Sequence, residues 1–193
     1  MAEARKVVRA RLTEQVDELL LRDPLVRADA PDGVHKMRIA TRRLRSNLST
    51  FRPTLDREVT DPLRAELRWL GQVLGAARDS EVQAEHLQCA LAELEPELVR
   101  GPVHALLHDH AEATQSEARA AAVEALDSPR YAALLDALTH LVNSPPWTPL
   151  ASSSIDDVLL PRVRRDWRHL EQLVKSDADP RREGAVRLVR NDG

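Results

Sequence analysis

The chain has 193 residues, of which 42% are hydrophobic and 31% charged, and its formal net charge is −3. This length and hydrophobic content are enough to bury one ordinary core or two small ones, which excludes a disordered tail. Charged residues interrupt the first twenty positions and every longer apolar run, so we expect neither a secretion signal nor a membrane-spanning helix.

The residue types favour helices over strands. Only 3% of the residues are aromatic and only six are Gly, whereas Ala, Leu, Arg and Glu are abundant. We therefore predict an all-α fold made of antiparallel helical bundles. A single cysteine, Cys89, excludes an internal disulfide and fits a reducing compartment, so we expect a cytoplasmic protein.

The first two predicted helices are separated by a turn. Apolar residues at helical spacing predict a first helix from about Glu3 to Leu21, ending before Pro24. The second predicted helix runs from Val34 to Arg52 and is stopped by Pro53. Asp32 precedes this second helix and is expected to cap its first turn.

Four more helices are predicted before a segment rich in proline and serine. Their approximate bounds are Asp56–Ala77, Asp79–Leu94, Val103–Leu126 and Ser128–Leu141. Residues 143–154 then contain three prolines and four serines, which is typical of a linker. We accordingly predict a first helical bundle over residues 1–142, a linker over 143–154 and a partial second helical half over 155–193, with a seventh helix from Ile155 to Val174.

The charges are unevenly distributed along the chain. Residues 33–55 contain six Lys and Arg and no Asp or Glu, whereas residues 79–127 contain eleven acidic residues and two arginines. Such separation of charge in a nearly neutral chain indicates a localised electrostatic feature.

The basic residues of the second helix form a row. At about 100° per residue, Met37, Ala40, Leu44, Leu48 and Phe51 fall on one apolar stripe. The opposite face carries His35, Arg38, Arg42 and Arg45, with Lys36 and Arg43 beside them. Like charges one turn apart destabilise a helix, and arginine donates paired hydrogen bonds to phosphate oxygens. The row therefore predicts binding of an anion with closely spaced phosphates.

Two alternatives fit the same row. The acidic segment 79–127 could neutralise it, giving a structural or scaffolding bundle. Alternatively, the phosphates could belong to a nucleic acid, although aromatic residues that would stack on bases are scarce. No pattern indicates a nucleophile, a phosphate loop or a convincing metal site, so we expect no catalysis, no metal and no cofactor.

Two motifs resemble those of a known family. Residues 34–46, Val-His-Lys-Met-Arg-Ile-Ala-Thr-Arg-Arg-Leu-Arg-Ser, resemble the signature helix of the conserved histidine α-helical domain (CHAD) family. Residues 69–82, Trp-Leu-Gly-Gln-Val-Leu-Gly-Ala-Ala-Arg-Asp-Ser-Glu-Val, resemble the second motif of that family. The proline-rich segment before Arg162–Trp167 also matches its layout, so the resemblance covers most of the chain.

The resemblance implies two pseudo-repeated helical halves around a basic channel that binds inorganic polyphosphate. It also implies association with a triphosphatase-type domain or with polyphosphate granules. The residues that it places at the channel are His35, Lys36, Arg38, Arg42, Arg43, Arg45 and Arg78, followed by Arg162, Arg165 and Arg168 from the second half. Asp79 is expected to cap the next helix and not to contact the anion.

The sequence departs from the family pattern near its C-terminus. Family members carry a second basic helix, of which Arg187 and Arg190 are at best a remnant here. We therefore expect an incomplete second half of the channel and a reduced affinity for polyphosphate. We also expect that a second protomer can supply the missing face of the channel.

Overall fold

The computed structural model describes residues 3–94 and 101–177 of the chain. Six α-helices occupy most of this part, which confirms the predicted all-α class. They are α1 (Ala4–Arg27), α2 (Gly33–Thr50), α3 (Arg57–Glu93), α4 (Val103–Asp127), α5 (Pro129–Asn143) and α6 (Ile155–Asp177). Short 3₁₀ turns lie at Arg52–Thr54 and Pro149–Ser152.

The hydrophobic core lies between α1, α2, α3 and α5. α2 packs against both α1 and α3, α3 also packs against α4, and α5 contacts α1, α3 and α4. The predicted apolar stripe of α2 is buried, with Leu44 and Leu48 entirely inaccessible to solvent. Burying one such leucine side chain stabilises the fold by about 1.5–3 kcal/mol. This packing fixes α2 so that its basic face points away from the core.

α1 continues through Pro24, so the predicted helix end before this residue is wrong. Proline lacks the N–H donor of a helix interior and usually bends or ends a helix. Here the buried side chains of Leu19 and Val26, on either side of Pro24, belong to the same core. Their burial offsets the missing hydrogen bond, and the helix closes where the Ala28 amide donates to the Pro24 carbonyl at 3.0 Å.

α3 is a single helix of 37 residues, whereas the sequence predicted two helices with a boundary at Arg78. No proline or glycine interrupts the chain at that point, and the buried residues Ala77 and Ser80 carry the packed face past it. The Ser80 hydroxyl donates to the Ala77 carbonyl at 2.7 Å. Asp79 therefore lies inside a helix, and the prediction that it caps a fourth helix is wrong.

The turn between α1 and α2 also differs from the prediction. Asp32 has a left-handed backbone (φ 59°) and its side chain makes no capping hydrogen bond, so the predicted cap is wrong. Its carboxylate lies instead 3.5 Å from Lys36 Nζ. A Cβ atom on the following residue, Gly33, would lie 3.0 Å from the Leu25 carbonyl oxygen. Glycine thus allows α2 to begin in direct contact with the end of α1.

Residues 143–154 pack against the loop that joins α2 to α3. Trp147 pairs with Leu55 in an isolated antiparallel bridge, and the Thr148 amide donates to the Thr54 carbonyl at 3.0 Å. The division of the chain at this segment stays a prediction. The remnant at Arg187 and Arg190 lies outside the described residues. Within the described ranges, no helix is both long enough and apolar enough to cross a membrane.

Candidate functional site

A groove runs between the basic face of α2 and the facing side of α3. Its first part, here called the first lobe, has a volume of about 270 Å³. The residues that line it are His35, Arg38, Ile39, Thr41, Arg42 and Arg45 of α2 and Leu67, Arg68, Gly71 and Gln72 of α3. The predicted row of His35, Arg38, Arg42 and Arg45 is therefore brought together on one wall.

Small residues of α3 bring the two walls close together. A Cβ atom on Gly71 would lie 3.7 Å from Thr41 Cγ2, and one on Gly75 would lie 3.8 Å from Arg38 Nε. These are ordinary van der Waals separations. The Arg38 side chain thus lies against the backbone of α3, which holds its guanidinium beside the groove.

The groove continues into a larger and more open second lobe of about 770 Å³. Arg42, Arg45 and Arg68 line both lobes, so the two lobes are contiguous. The second lobe adds Ser46 and Ser49 from α2 and Asp61, Arg64 and Ala65 from α3. The three shared arginines therefore border both lobes.

These three shared arginines have no acidic partner in the described part of the chain. No ion pair joins Arg42, Arg45 or Arg68 to a carboxylate within residues 3–94 and 101–177. Arg38 is the exception in the row, with Nη1 3.4 Å from Asp79 Oδ1, at the long end of hydrogen-bond range. The groove consequently carries a positive potential that the protein's own described carboxylates leave largely uncompensated.

The acidic residues of 79–127 pair mainly elsewhere. Arg78 bonds Glu81 at 2.8 Å, and Arg27 binds Asp127 across the ends of α1 and α4. Glu112 of α4 lies 4.0 Å from His108 of the same helix. Full internal neutralisation of the row, the scaffolding alternative, is thus not the arrangement of the described residues.

A family model, the CHAD domain, matches residues 10–192 of the chain. The chain belongs to the CHAD domain family. This finding confirms the resemblance predicted from the signature helix and from the second motif.

Two curated relatives of this CHAD chain are uncharacterized proteins from two strains of Mycobacterium tuberculosis. Each is 38% identical over 182 residues, which cover 93% of this chain and 36% of the relative. The chain therefore spans about a third of the length of these relatives.

Two solved structures share the CHAD fold. PptA from Streptomyces chartreusis aligns with a TM-score of 0.72 at 24% identity, covering 92% of this chain and 61% of that chain. The CHAD domain from the plant Ricinus communis aligns with a TM-score of 0.58 at 27% identity, covering 89% of this chain and 54% of that chain. The helical architecture of the chain is thus that of the family.

Three other predicted site residues lie outside the two lobes. Lys36 faces Asp32, and the neighbouring Arg43 is exposed and lines neither lobe. Arg78 is held by Glu81 and by Glu85 at 3.8 Å. The hydrogen bond to Glu81 and the charges of both glutamates raise the pKa of the Arg78 guanidinium, although partial burial opposes them. The structure thus gives Arg78 a structural ion pair and does not bring it to the groove.

The three predicted arginines of α6 differ in their position relative to the groove. Arg162 Nη2 lies 3.4 Å from the Ser49 hydroxyl, which places it at the rim of the second lobe. Arg165 lies 3.5 Å from Asp166, and Arg168 donates to the Arg164 carbonyl of its own helix. Of the three, Arg162 is the one that the fold brings to the groove.

Sequence reasoning missed the second wall of the groove. Arg64, Arg68 and Gln72 follow one another at four-residue spacing on α3, so they share a face. This spacing was a usable signal, equivalent to that of Arg38 and Arg42 on α2. What the spacing alone does not reveal is that this face of α3 lies against the basic face of α2.

Proposed function

We propose that this CHAD chain binds inorganic polyphosphate in the α2–α3 groove and carries out no chemistry on it. The observation that carries the proposal is the set of three arginines common to both lobes, Arg42, Arg45 and Arg68, without a carboxylate partner in the described residues. Guanidinium groups without counterions, gathered in a groove, favour an anionic ligand.

The shape of the groove favours a linear anion with many phosphates. Arg38, Arg42 and Arg45 rise along α2 by about one turn, roughly 5 Å, at each step. Arg68 lies on the other wall, so a chain in the groove receives donors from two sides. Each charge-assisted hydrogen bond to a phosphate contributes about 1.5–3 kcal/mol. Several such contacts in sequence suit a polymer better than a single phosphate.

Neutral donors in the groove fit the same ligand. Gln72 lines the first lobe, and the hydroxyls of Ser46 and Ser49 line the second. Such groups donate hydrogen bonds to phosphate oxygens without adding charge. No Phe, Tyr or Trp side chain is among the residues that line either lobe in the described structure, and His35 is the one aromatic ring among them. Stacking of bases therefore has little platform there, which favours polyphosphate over single-stranded nucleic acid.

The proposal also includes the cellular setting in which the chain would act. A cytoplasmic protein that holds polyphosphate would act beside a triphosphatase-type domain or on polyphosphate granules. Its partners would then be the polymer and the enzymes or granules that carry it.

A comparison of three anions tests the proposal. Binding of long-chain polyphosphate, triphosphate and single-stranded RNA is measured by isothermal titration calorimetry at several salt concentrations. We expect long-chain polyphosphate to bind most tightly, with an affinity that falls steeply as salt rises. Tighter binding of RNA would overturn the proposal, as would an affinity for polyphosphate that does not depend on salt.

A further inference from the structure

Asp61 is the one carboxylate among the described residues that line either lobe of the groove. It lies near the start of α3, in the wall of the second lobe. Its Oδ2 accepts a hydrogen bond from Arg52 at 2.5 Å, and its Oδ1 accepts one from Arg64 at 3.2 Å. The second lobe therefore differs from the first in containing a negative charge.

This carboxylate changes what Arg64 can do. Arg64 lines the second lobe, but its guanidinium is engaged by Asp61, whereas Arg42, Arg45 and Arg68 remain unpaired in the described residues. Partial burial raises the pKa of the Asp61 carboxyl, but the hydrogen bonds from Arg52 and Arg64 outweigh it and hold the pKa below its ordinary value. Asp61 is thus ionised at neutral pH and offsets part of the positive charge that an anion meets in this lobe.

The two lobes can accommodate different lengths of a linear anion. From Arg38 to Arg45 the first lobe follows α2 for about 10 Å, at 1.5 Å of rise per residue. The stretch from Arg45 to Ser49 adds about 6 Å in the second lobe. A short anion can bind wholly within the first lobe, whereas a long chain must extend into the second lobe to gain further contacts.

Resting on the proposed binding of polyphosphate, we infer that Asp61 is a specificity-determining residue that limits the advantage of long polyphosphate over short. It does so by occupying Arg64 and by placing a negative charge in the path of the extending chain. A long chain therefore gains less from the second lobe while Asp61 is ionised than it would gain without this charge.

Removal of the charge tests the inference. Affinities for triphosphate and for long-chain polyphosphate are measured for the wild-type chain, for Asp61→Asn and for the control Asp136→Asn. Asp136 is exposed on α5 and lines neither lobe, so its substitution reproduces the change in net charge alone. We expect Asp61→Asn to raise the affinity for the long chain by about tenfold, the equivalent of one added charge-assisted contact. Its affinity for triphosphate should change no more than that of the control.

A double variant tests whether Arg64 is the group that binds the long chain once Asp61 no longer engages it. In Asp61→Asn combined with Arg64→Gln, the gain for long-chain polyphosphate should disappear, because Arg64 supplies the new contact. Thermal unfolding followed by circular dichroism shows whether each variant retains the wild-type helical fold. A gain that persists in the double variant would overturn the role given to Arg64.

The outcomes separate this inference from the proposed function. If the wild-type chain binds neither triphosphate nor long-chain polyphosphate, the proposed function fails and the inference fails with it. If the wild-type chain binds polyphosphate but Asp61→Asn and Asp136→Asn give the same ratio of long-chain to triphosphate affinity, only the role of Asp61 is overturned.

Discussion

Arg38 Nη1 lies 3.4 Å from Asp79 Oδ1, and Arg38 is the member of the basic row that the described structure pairs with a carboxylate. Arg38 lines the first lobe but not the second, so this pair belongs to the lobe that lacks Asp61. The side chains of Arg38 and Asp79 are 42% and 64% exposed. An exposed pair at this distance holds its partners weakly, so an arriving phosphate can displace Asp79.

Asp79→Asn should therefore strengthen binding of short and long polyphosphate alike. The substitution frees Arg38 in the lobe that both ligands occupy, and we expect both affinities to rise by about twofold to fivefold. Stability should change by less than about 0.5 kcal/mol, since the pair is exposed. Calorimetric titration beside the control Asp136→Asn measures the effect. A rise limited to the long chain would contradict the placement of Arg38 in the first lobe.

Arg42 and Arg43 are neighbours in the chain but differ in their relation to the groove. Both side chains are exposed, but Arg42 lines both lobes whereas Arg43 lines neither. Arg42→Gln should weaken binding of long-chain polyphosphate by about tenfold or more, because one charge-assisted contact is lost. It should also make the dependence of log K on log salt shallower by about one.

Arg43→Gln is the matched control for Arg42→Gln, with the same loss of charge on the same helix. We expect its affinity to stay within about twofold of the wild-type value, since a charge outside the groove acts only through the screened overall potential. Equal losses in the two variants would show that binding depends on net charge and not on the groove.

The basic wall of the groove could be predicted from sequence because one helix contains all of it. Met37, Leu44 and Leu48 recur at helical spacing and leave Arg38 and Arg42 on the opposite face, which is a local property of the chain. The facing wall could not be assigned, because the position of Arg68 across the groove from the row is a tertiary property of how α2 and α3 pack. Arg68 therefore belongs to the site as much as Arg42 does.

Helix boundaries were mispredicted where burial overrides local preference. Pro24 predicts a helix end, but Leu19 and Val26 pack into one core on either side of it. Arg78 and Asp79 predict a helix boundary, yet the buried face of α3 continues through Ala77 and Ser80. In both cases tertiary packing stabilises the continuous helix by a free energy that local sequence preferences do not predict.

Gly33→Ala should destabilise the fold, because the space beside this residue is filled by backbone. Its added Cβ would lie 3.0 Å from the Leu25 carbonyl oxygen and 3.2 Å from the Val26 amide nitrogen. Backbone atoms at these distances can give way only if α1 and α2 move apart, so we expect a loss of about 1–3 kcal/mol. Urea unfolding followed by circular dichroism measures it.

Gly71→Ala provides the comparison for Gly33→Ala. The nearest atom to its added Cβ is the Thr41 Cγ2 methyl at 3.7 Å, an ordinary contact. Alanine also has the higher helix propensity, so stability should be unchanged or should rise by up to about 1 kcal/mol. A larger loss for Gly71→Ala than for Gly33→Ala would contradict the packing described for the two helix pairs.

The ion pair between Glu66 and Arg130 should make stability depend on pH. Arg130 Nε and Nη2 donate to the Glu66 carboxylate at 2.6 and 3.1 Å, and the guanidinium lies 4.1 Å from the centre of the Trp69 ring. The hydrogen bond from Arg130 lowers the pKa of the Glu66 carboxyl, although partial burial opposes it. Because the folded-state pKa is below the unfolded-state value, the stabilisation is present above the unfolded-state pKa and is lost as the pH falls through the folded-state pKa.

Glu66→Gln tests this pH dependence of stability. The variant should be less stable than the wild-type chain at pH 7, and the difference should shrink as the pH falls through the folded-state pKa of Glu66, where the wild-type carboxylate becomes protonated. Urea unfolding midpoints at pH 7 and at pH 3 measure the two differences. Glu117→Gln serves as the control, because Glu117 is exposed on α4 and has no ion pair within the described residues. A difference between Glu66→Gln and the wild-type chain that is equal at both pH values would show that the glutamate stabilises the junction of α3 and α5 through packing and not through its charge.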